Sequence, residues 1–304
     1  MVATEAADLC LMKTFRDAIR TKEFVLTADL TLMPDSNASS IIEQAHILGS
    51  HVDAIQVTEN QYGTIHLSPL AAASILINES IDPVMQLSCC NRNRAALIAD
   101  LLGARSVGVT SVQLVQGKRM PDSYQPQPKQ VKDLGVEELI ATAKVIKEDV
   151  NPKDTADFFI GAAVKARTPK SDEAMPTLLR KVDAGAQFIQ TQLCFDINVL
   201  RKYVAHLVSL KLIRRCSIIV DVAALPSADS ARWLRDNLRH VVIPNKIIRR
   251  LERAEDPEQE GIVICSEYLR EIAATPGVSG ANVITMGSPK MIVESVRASG
   301  LRGE

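Results

Sequence analysis

Residues 158–164 read FFIGAAV and residues 217–222 read SIIVDV. Each is a short apolar run without alternation between polar and apolar positions. A strand that faces water on one side alternates, whereas a strand covered on both sides does not. Strand-like runs recur at 24–30, 53–58, 84–88, 111–116, 157–163, 188–192, 217–222 and 281–285, which makes eight. Between them lie longer stretches with apolar residues at helical spacing, at 39–49, 94–104, 136–148, 173–184, 197–210, 228–238 and 290–298. Strand then helix, repeated from end to end, is the pattern of βαβ units with right-handed crossovers. Eight repeats predict an α/β fold of the closed (β/α)8 TIM-barrel type, and the same pattern also accommodates an open doubly wound sheet.

Two stretches interrupt the alternation. Residues 118–135 (KRMPDSYQPQPKQVKDLG) are polar, carry prolines and follow the fourth strand. Barrel enzymes place their sites at that end, so the stretch reads either as an active-site loop or lid, or as a mobile surface loop. Residues 244–274 supply extra helical material before the last strand, with a charged turn at 255–261 (EDPEQEG). The last strand and helix are needed to close the barrel, so the chain reads as one domain over 1–304, with 1–22 as an N-terminal extension.

The 304 residues carry a net charge of −1, and no basic block is long enough to track a nucleic-acid backbone. Aromatic residues make up only 4%, which leaves a base-stacking platform poorly supplied. Binding of nucleic acid is not expected. No window approaches a transmembrane length and the N-terminus lacks a signal-type apolar stretch, so the expectation is a cytoplasmic protein without a membrane association. The six cysteines (Cys10, Cys89, Cys90, Cys194, Cys216, Cys265) form no CxxC pair and fit no zinc spacing. They read as buried reduced thiols. The five histidines show no ligand spacing either, so no metal is expected. Neither GxGxxG nor GxxxxGK[ST] occurs, and any dinucleotide would bind without a glycine fingerprint.

Five segments, in order, resemble the methylenetetrahydrofolate reductase family, most closely its short bacterial branch associated with acetogens and corrinoid proteins. They are TADLTLMP (27–34), DAIQVTENQ (53–61), PVMQLSCCNRNR (83–94), FFIGAAVKA (158–166) and KVDAGAQFIQTQLCFD (181–196), the last being the most specific. Weaker echoes run on to the C-terminus, so the likeness covers about residues 24–300. It implies a TIM barrel with FAD across its C-terminal mouth. It also implies a folate substrate, 5,10-methylenetetrahydrofolate being interconverted with 5-methyltetrahydrofolate by hydride transfer through the flavin. The electron donor would be NADH, NADPH or a partner protein. Family precedent implies a homo-oligomer, dimer or tetramer, and methionine biosynthesis as a setting. The alternative is a non-redox methyl-folate-binding or scaffold subunit that serves a methyltransferase partner.

The resemblance assigns roles residue by residue. Asp29 stands at the family's first-strand glutamate and is the implied general acid; a barrel-mouth aspartate that holds a loop is the structural alternative. Its side chain is one methylene shorter, and an error of that size in placement costs about 10²-fold in rate. Gln192 matches the glutamine that contacts the pterin, an amide being able to donate and accept at once. Phe195 follows it and either lines the folate pocket or belongs to the core. Thr58, Gln86 and Ala163 fall at flavin-facing strand ends, and Lys181 matches a lysine on the FAD diphosphate. Three positions depart from the family. Its fourth strand ends in an (R/T)GD run, where this chain has Gln116, Gly117 and Lys118. Lys165 replaces an asparagine, and Lys132 stands where relatives often carry an aromatic residue. A lysine in place of the aspartate reverses the charge beside the implied flavin.

Overall fold

The computed structural model describes residues 13–146, 158–170, 173–238 and 240–302. Eight parallel strands close on themselves in sequence order. They are β1 (Val25–Asp29), β2 (Ala54–Val57), β3 (Pro83–Ser88), β4 (Ser111–Val115), β5 (Phe159–Val164), β6 (Phe188–Thr191), β7 (Ser217–Ala224) and β8 (Gly280–Thr285). The closing pair sets Val25 beside Gly280 and Thr27 beside Asn282. The barrel is therefore the observed fold, and the open doubly wound alternative falls away.

Around the strands run α1 (Phe15–Thr21), α2 (Ala38–Gly49), α3 (Pro69–Asn78), α4 (Arg94–Ser106), α5 (Val136–Val145) and α6 (Pro176–Ala184). They are followed by α7 (Ile197–Ser209), α8 (Ala228–Asn237), α9 (Asn245–Arg253), α10 (Pro257–Ala273) and α11 (Pro289–Ser299). The sequence pattern passed over two of these. α3 (PLAAASILIN) is apolar almost throughout, so no polar stripe marks it; Ser68 caps it and Pro69 opens it. α1 lies inside the expected extension. Its Phe15 is buried against Phe159 and Phe188, at the bottom ends of the strands.

Boundaries moved for local reasons. The helix expected from residue 173 begins at Pro176, because Glu173 turns back to pair with Arg167 and to accept the Lys170 N–H. The charged stretch at 255–261 is the start of a helix: Asp256 accepts the N–H groups of Glu258 and Gln259 and caps α10. The last residues of the helix expected over 136–148, and Asp157, lie outside the described residues.

Alternate strand residues point into the barrel, and several of them are polar. Thr27, Gln56, Gln113, Gln190 and Asn282 are all buried. Four of them satisfy one another in pairs and Gln190 donates to Asp221, since a buried polar group without a partner costs about 1–3 kcal/mol. Thr27 Oγ1 donates to Asn282 Oδ1 at 2.8 Å, and Gln56 Nε2 donates to Gln113 Oε1 at 2.5 Å. Above this layer, toward the C-terminal ends of the strands, the barrel opens.

Candidate active site

The opening is a hollow of about 420 Å³, within the range of small-molecule sites. Its walls come from all eight strands and from the segments that follow them. Asp29, Thr58, Gln86, Gln116, Gly117, Lys118, Ala163, Lys181 and Gln192 all line it. Residues up to 163 positions apart in the chain, Asp29 and Gln192, thus face one space. Phe195 and Lys165 do not line it. Phe195 is fully buried, packed edge-on against Tyr268 with ring centroids 4.9 Å apart, and its backbone oxygen accepts the Tyr268 hydroxyl. Lys165 is exposed, and it lies just past the end of β5 at Val164, where the chain has left the sheet.

Asp29 ends β1 and is 7% exposed. Both carboxyl oxygens are engaged: Oδ1 accepts Asn282 Nδ2 at 2.9 Å and Oδ2 accepts Gln61 Nε2 at 3.0 Å. Burial raises its pKa to about 7, and the bond from Asn282 works against that rise. Across the floor, Asp221 of β7 accepts Gln190 Nε2 at 2.7 Å and Asn282 Nδ2 at 3.2 Å. Burial, and next the charge of Asp29, push its pKa well above the carboxylate range. Lys118 and Lys181 stand on the other side of the hollow. Lys181 Nζ donates to the backbone oxygen of Ala163 at 2.7 Å. Crowding by protein lowers the pKa of both, although Lys118 remains exposed as a residue.

A strap closes the β1 side. Asn60 and Tyr62 have φ of 51° and 58°, left-handed values that are uncommon outside glycine and that mark stored strain. Tyr62 reaches across to β8, donating to Thr285 O at 3.3 Å, and its ring meets Trp233 of α8 edge-on at 5.8 Å. Glu59, just before the strap, is an anchor. It accepts the Ser88 N–H at 2.6 Å, Asn91 Nδ2 at 3.0 Å and Arg92 Nη1 at 2.6 Å. Arg92 is therefore tied to Glu59 and to Asp100, and Asn93 caps α4 through Ala96 N. On the opposite rim Met120 of the 118–135 segment lines the hollow, and the Tyr124 hydroxyl accepts the Ile65 N–H at 2.8 Å.

Sequence reasoning missed Asp221, Gln190, Asn282, Gln113, Gln56, Glu59 and the Gln61–Tyr62 strap. A signal existed for most of them: a single polar residue inside an otherwise apolar strand, as in SIIVDV and SVQLV. In a barrel such a residue points inward, where it needs a partner or a ligand. Three buried polar atoms around the hollow have no hydrogen-bond partner: Thr58 Oγ1, Gln61 Oε1 and Gln192 Oε1. Among the described residues no three His, Cys, Asp or Glu side chains are placed to hold a metal ion. No described helix is long and apolar enough to cross a membrane. Cys89, Cys90, Cys194, Cys216 and Cys265 are free and buried, and Cys10 lies outside the described residues.

A parallel eight-stranded barrel with acids, amides and lysines converging at its C-terminal mouth is the framework of a barrel enzyme. The chain belongs to the methylenetetrahydrofolate reductase family, whose model matches residues 14–300. A probable methylenetetrahydrofolate reductase (NADPH) of Caenorhabditis elegans is 24% identical over 238 residues, covering 76% of this chain and 34% of the worm protein. The chain thus spans about a third of that relative's length. Among solved structures, an uncharacterised protein from Clostridium thermocellum that binds two copies of 5-methyl-5,6,7,8-tetrahydrofolic acid superposes with a TM-score of 0.62 at 14% identity. That match covers 93% of this chain and 97% of the other. Yersinia pestis DHPS with a pterine-sulfa conjugate superposes at a TM-score of 0.50 and 10% identity, over 91% of this chain and 93% of the other. At those identities the two structures support the fold alone.

Proposed function

We propose that the chain binds a reduced folate in the hollow and, with FAD beside it, interconverts 5,10-methylenetetrahydrofolate and 5-methyltetrahydrofolate. One observation carries the reading: a buried carboxyl with a pKa near 7, Asp29, faces the same hollow as the unpartnered amide oxygen Gln192 Oε1. A pterin edge offers N–H donors for such an oxygen. Membership of the family supports the reading, as does the methyl-folate bound by the Clostridium thermocellum protein.

The residues present fit a flavin. Thr58 Oγ1 is a buried hydroxyl without a partner, Gln86 lies beside it on the next strand, and Lys118 and Lys181 bring positive charge to the same hollow. Thr58 and Gln86 would hold the ring edge, and Lys181 the diphosphate. When bound, FAD supplies the hydride exchange. The chain's own part is proton handling and placement. With its pKa raised by burial to about 7, Asp29 can exchange a proton near neutrality, giving one to the folate amine nitrogen in the reducing direction and taking it back in the other. General acid catalysis of this kind contributes about 10²–10⁴-fold. The Tyr62 strap keeps water from Asp29. Electrons come from NADH, NADPH or a partner protein.

A second reading rests on Lys118, a cation where the family has an aspartate. It makes the chain a folate-binding subunit of a methyl-transfer system without a redox step. Anaerobic addition of 5-methyltetrahydrofolate to the FAD-loaded protein separates the two. Bleaching of the flavin bands supports the reductase; folate binding with unchanged flavin bands supports the subunit.

A further inference from the structure

Asp221 shares the floor of the hollow with Asp29, and a single amide nitrogen, Asn282 Nδ2, donates to both. Their other side-chain partners among the described residues are amides as well: Gln61 on Asp29 and Gln190 on Asp221. Among the described residues no lysine or arginine forms an ion pair with either carboxyl. Two like charges on either side of one amide, without a cation, do not both ionise near neutrality. One of the two retains its proton.

The hydrogen bonds distinguish them. Asp29 accepts on both oxygens, as an ionised carboxylate does. Asp221 accepts two amides on Oδ1 alone, while Oδ2 accepts nothing among the described residues and the side chain lines the hollow. A protonated carboxyl has one accepting carbonyl oxygen and one hydroxyl, which is that pattern. We propose that Asp221 stays a neutral carboxylic acid at neutral pH and that its Oδ2 hydroxyl donates a hydrogen bond to the bound ligand. The acceptor is a ring nitrogen or carbonyl oxygen of a pterin-type heterocycle, and this half of the proposal rests on the folate reading above.

Independent support comes from Thr58, 5% exposed, and Gln192, whose unpartnered oxygens border the same space. Burial raises both carboxyls, Asp29 to about 7, and the charge of Asp29 adds to the rise at Asp221. The remaining ionisable groups around the hollow are Tyr62 and Glu59 after β2, Lys118 after β4, Lys181 on α6 and His240 after α8. Glu59 is neutralised by Arg92, and Lys181 is bound to Ala163 O. The two aspartates thus take separate roles. Asp29 moves a proton, and Asp221 holds one.

Carbon-13 NMR of the full chain, carboxyl-labelled at aspartate and free of ligand, tests the protonation state, with Asp221→Asn assigning the signal. The expected result is a protonated Asp221 carboxyl at pH 7 that titrates at higher pH. In Asp29→Asn that titration moves down by about one pH unit or more as the neighbouring charge disappears. An ionised Asp221 at pH 7, or a titration indifferent to Asp29→Asn, overturns the proposal. Binding of 5-methyltetrahydrofolate tests the donor role. Asp221→Leu is expected to weaken binding by about 3- to 10-fold, and Asp221→Asn, which keeps a donor in place, recovers most of the loss. An Asn variant as weak as the Leu variant rejects the donor role. Absence of binding by the unaltered chain rejects the folate reading and the ligand half with it, while the NMR titration still decides the protonation half.

Discussion

At the lower end of the barrel, Phe15, Phe159 and Phe188 meet with ring centroids 5.0–5.6 Å apart. Gly161 lacks a side chain where the Phe188 ring lies; a Cβ there would come within 2.1 Å of it. That end also buries an acid, Asp82. It accepts the Phe15 N–H at 2.6 Å and the Thr110 hydroxyl at 3.0 Å, and its pKa is raised to about 6. At the upper end Asp29 and Asp221 are raised too, but they face a hollow bordered by unpartnered oxygens and a strained strap. A raised pKa is therefore common to both ends and does not by itself mark a site. What separates them is what the acid faces: at the bottom a backbone amide and packed rings, at the top open volume.

The sharpest test of that contrast is Asp29→Asn. The folate reaction is expected to fall by about 10²–10⁴-fold, measured as kcat/KM for 5-methyltetrahydrofolate oxidation, while Asp82→Asn leaves the chemistry alone and costs stability. Phe15→Ala should act in the opposite sense. It opens a cavity in the aromatic plug and lowers unfolding free energy by about 3–5 kcal/mol in urea titrations, with folate affinity retained.

The pH dependence of stability follows next. Asp29 and Asp82 have folded pKa values above the ordinary 3.8. On raising the pH the unfolded chain ionises first, so their contribution is fully present below about 4 and is lost as pH rises through the folded values. The loss runs from about pH 4 to about 6 for Asp82 and to about 7 for Asp29, and Asp221 adds in the same direction. For Asp29 it amounts to at most about 4 kcal/mol. Asp29→Asn should flatten the upper part of this slope and leave the Asp82 part.

A smaller effect separates the two readings of Lys118. In FAD-loaded protein, Lys118→Asp should lower the flavin midpoint potential by about 30 mV, equivalent to about 1.4 kcal/mol for a two-electron couple. An unchanged or higher potential removes Lys118 from the flavin's surroundings. Smallest of all, Lys165→Ala should shift stability by no more than about 0.5 kcal/mol and leave folate binding as it was, since that side chain is exposed and away from the hollow.

The strand runs were legible because burial on both faces leaves no polar alternation, and all eight lie where the apolar runs stand. α3 was not, since a helix apolar nearly all round has no period to detect. α1 was hidden for a different reason. Its one decisive residue, Phe15, matters through contacts with Phe159 and Phe188, each more than 140 positions away. At the mouth, Asp29 and Gln192 could be read from motif likeness, whereas Asp221 and Asn282 could not. Their meaning comes from strand register, which sets Asp221 beside Asn282 and Thr27 beside Asn282, and register is not written in any local stretch. Lys165 lies outside the hollow and Phe195 takes the core place that the sequence left open for it: a motif carries neighbours along with it, and neighbours at a strand's exit face different ways.

The Tyr62 strap has a consequence for timing. It roofs the β1 corner through a phenol on β8 and a ring against α8, and the high proton affinity of Asp29 comes from the dryness beneath it. Lifting the strap to exchange ligand would let solvent reach the carboxyl and return it toward ordinary acidity. The open molecule would shed a proton that the shut one regains, so ligand turnover and proton uptake would be geared together by one tyrosine.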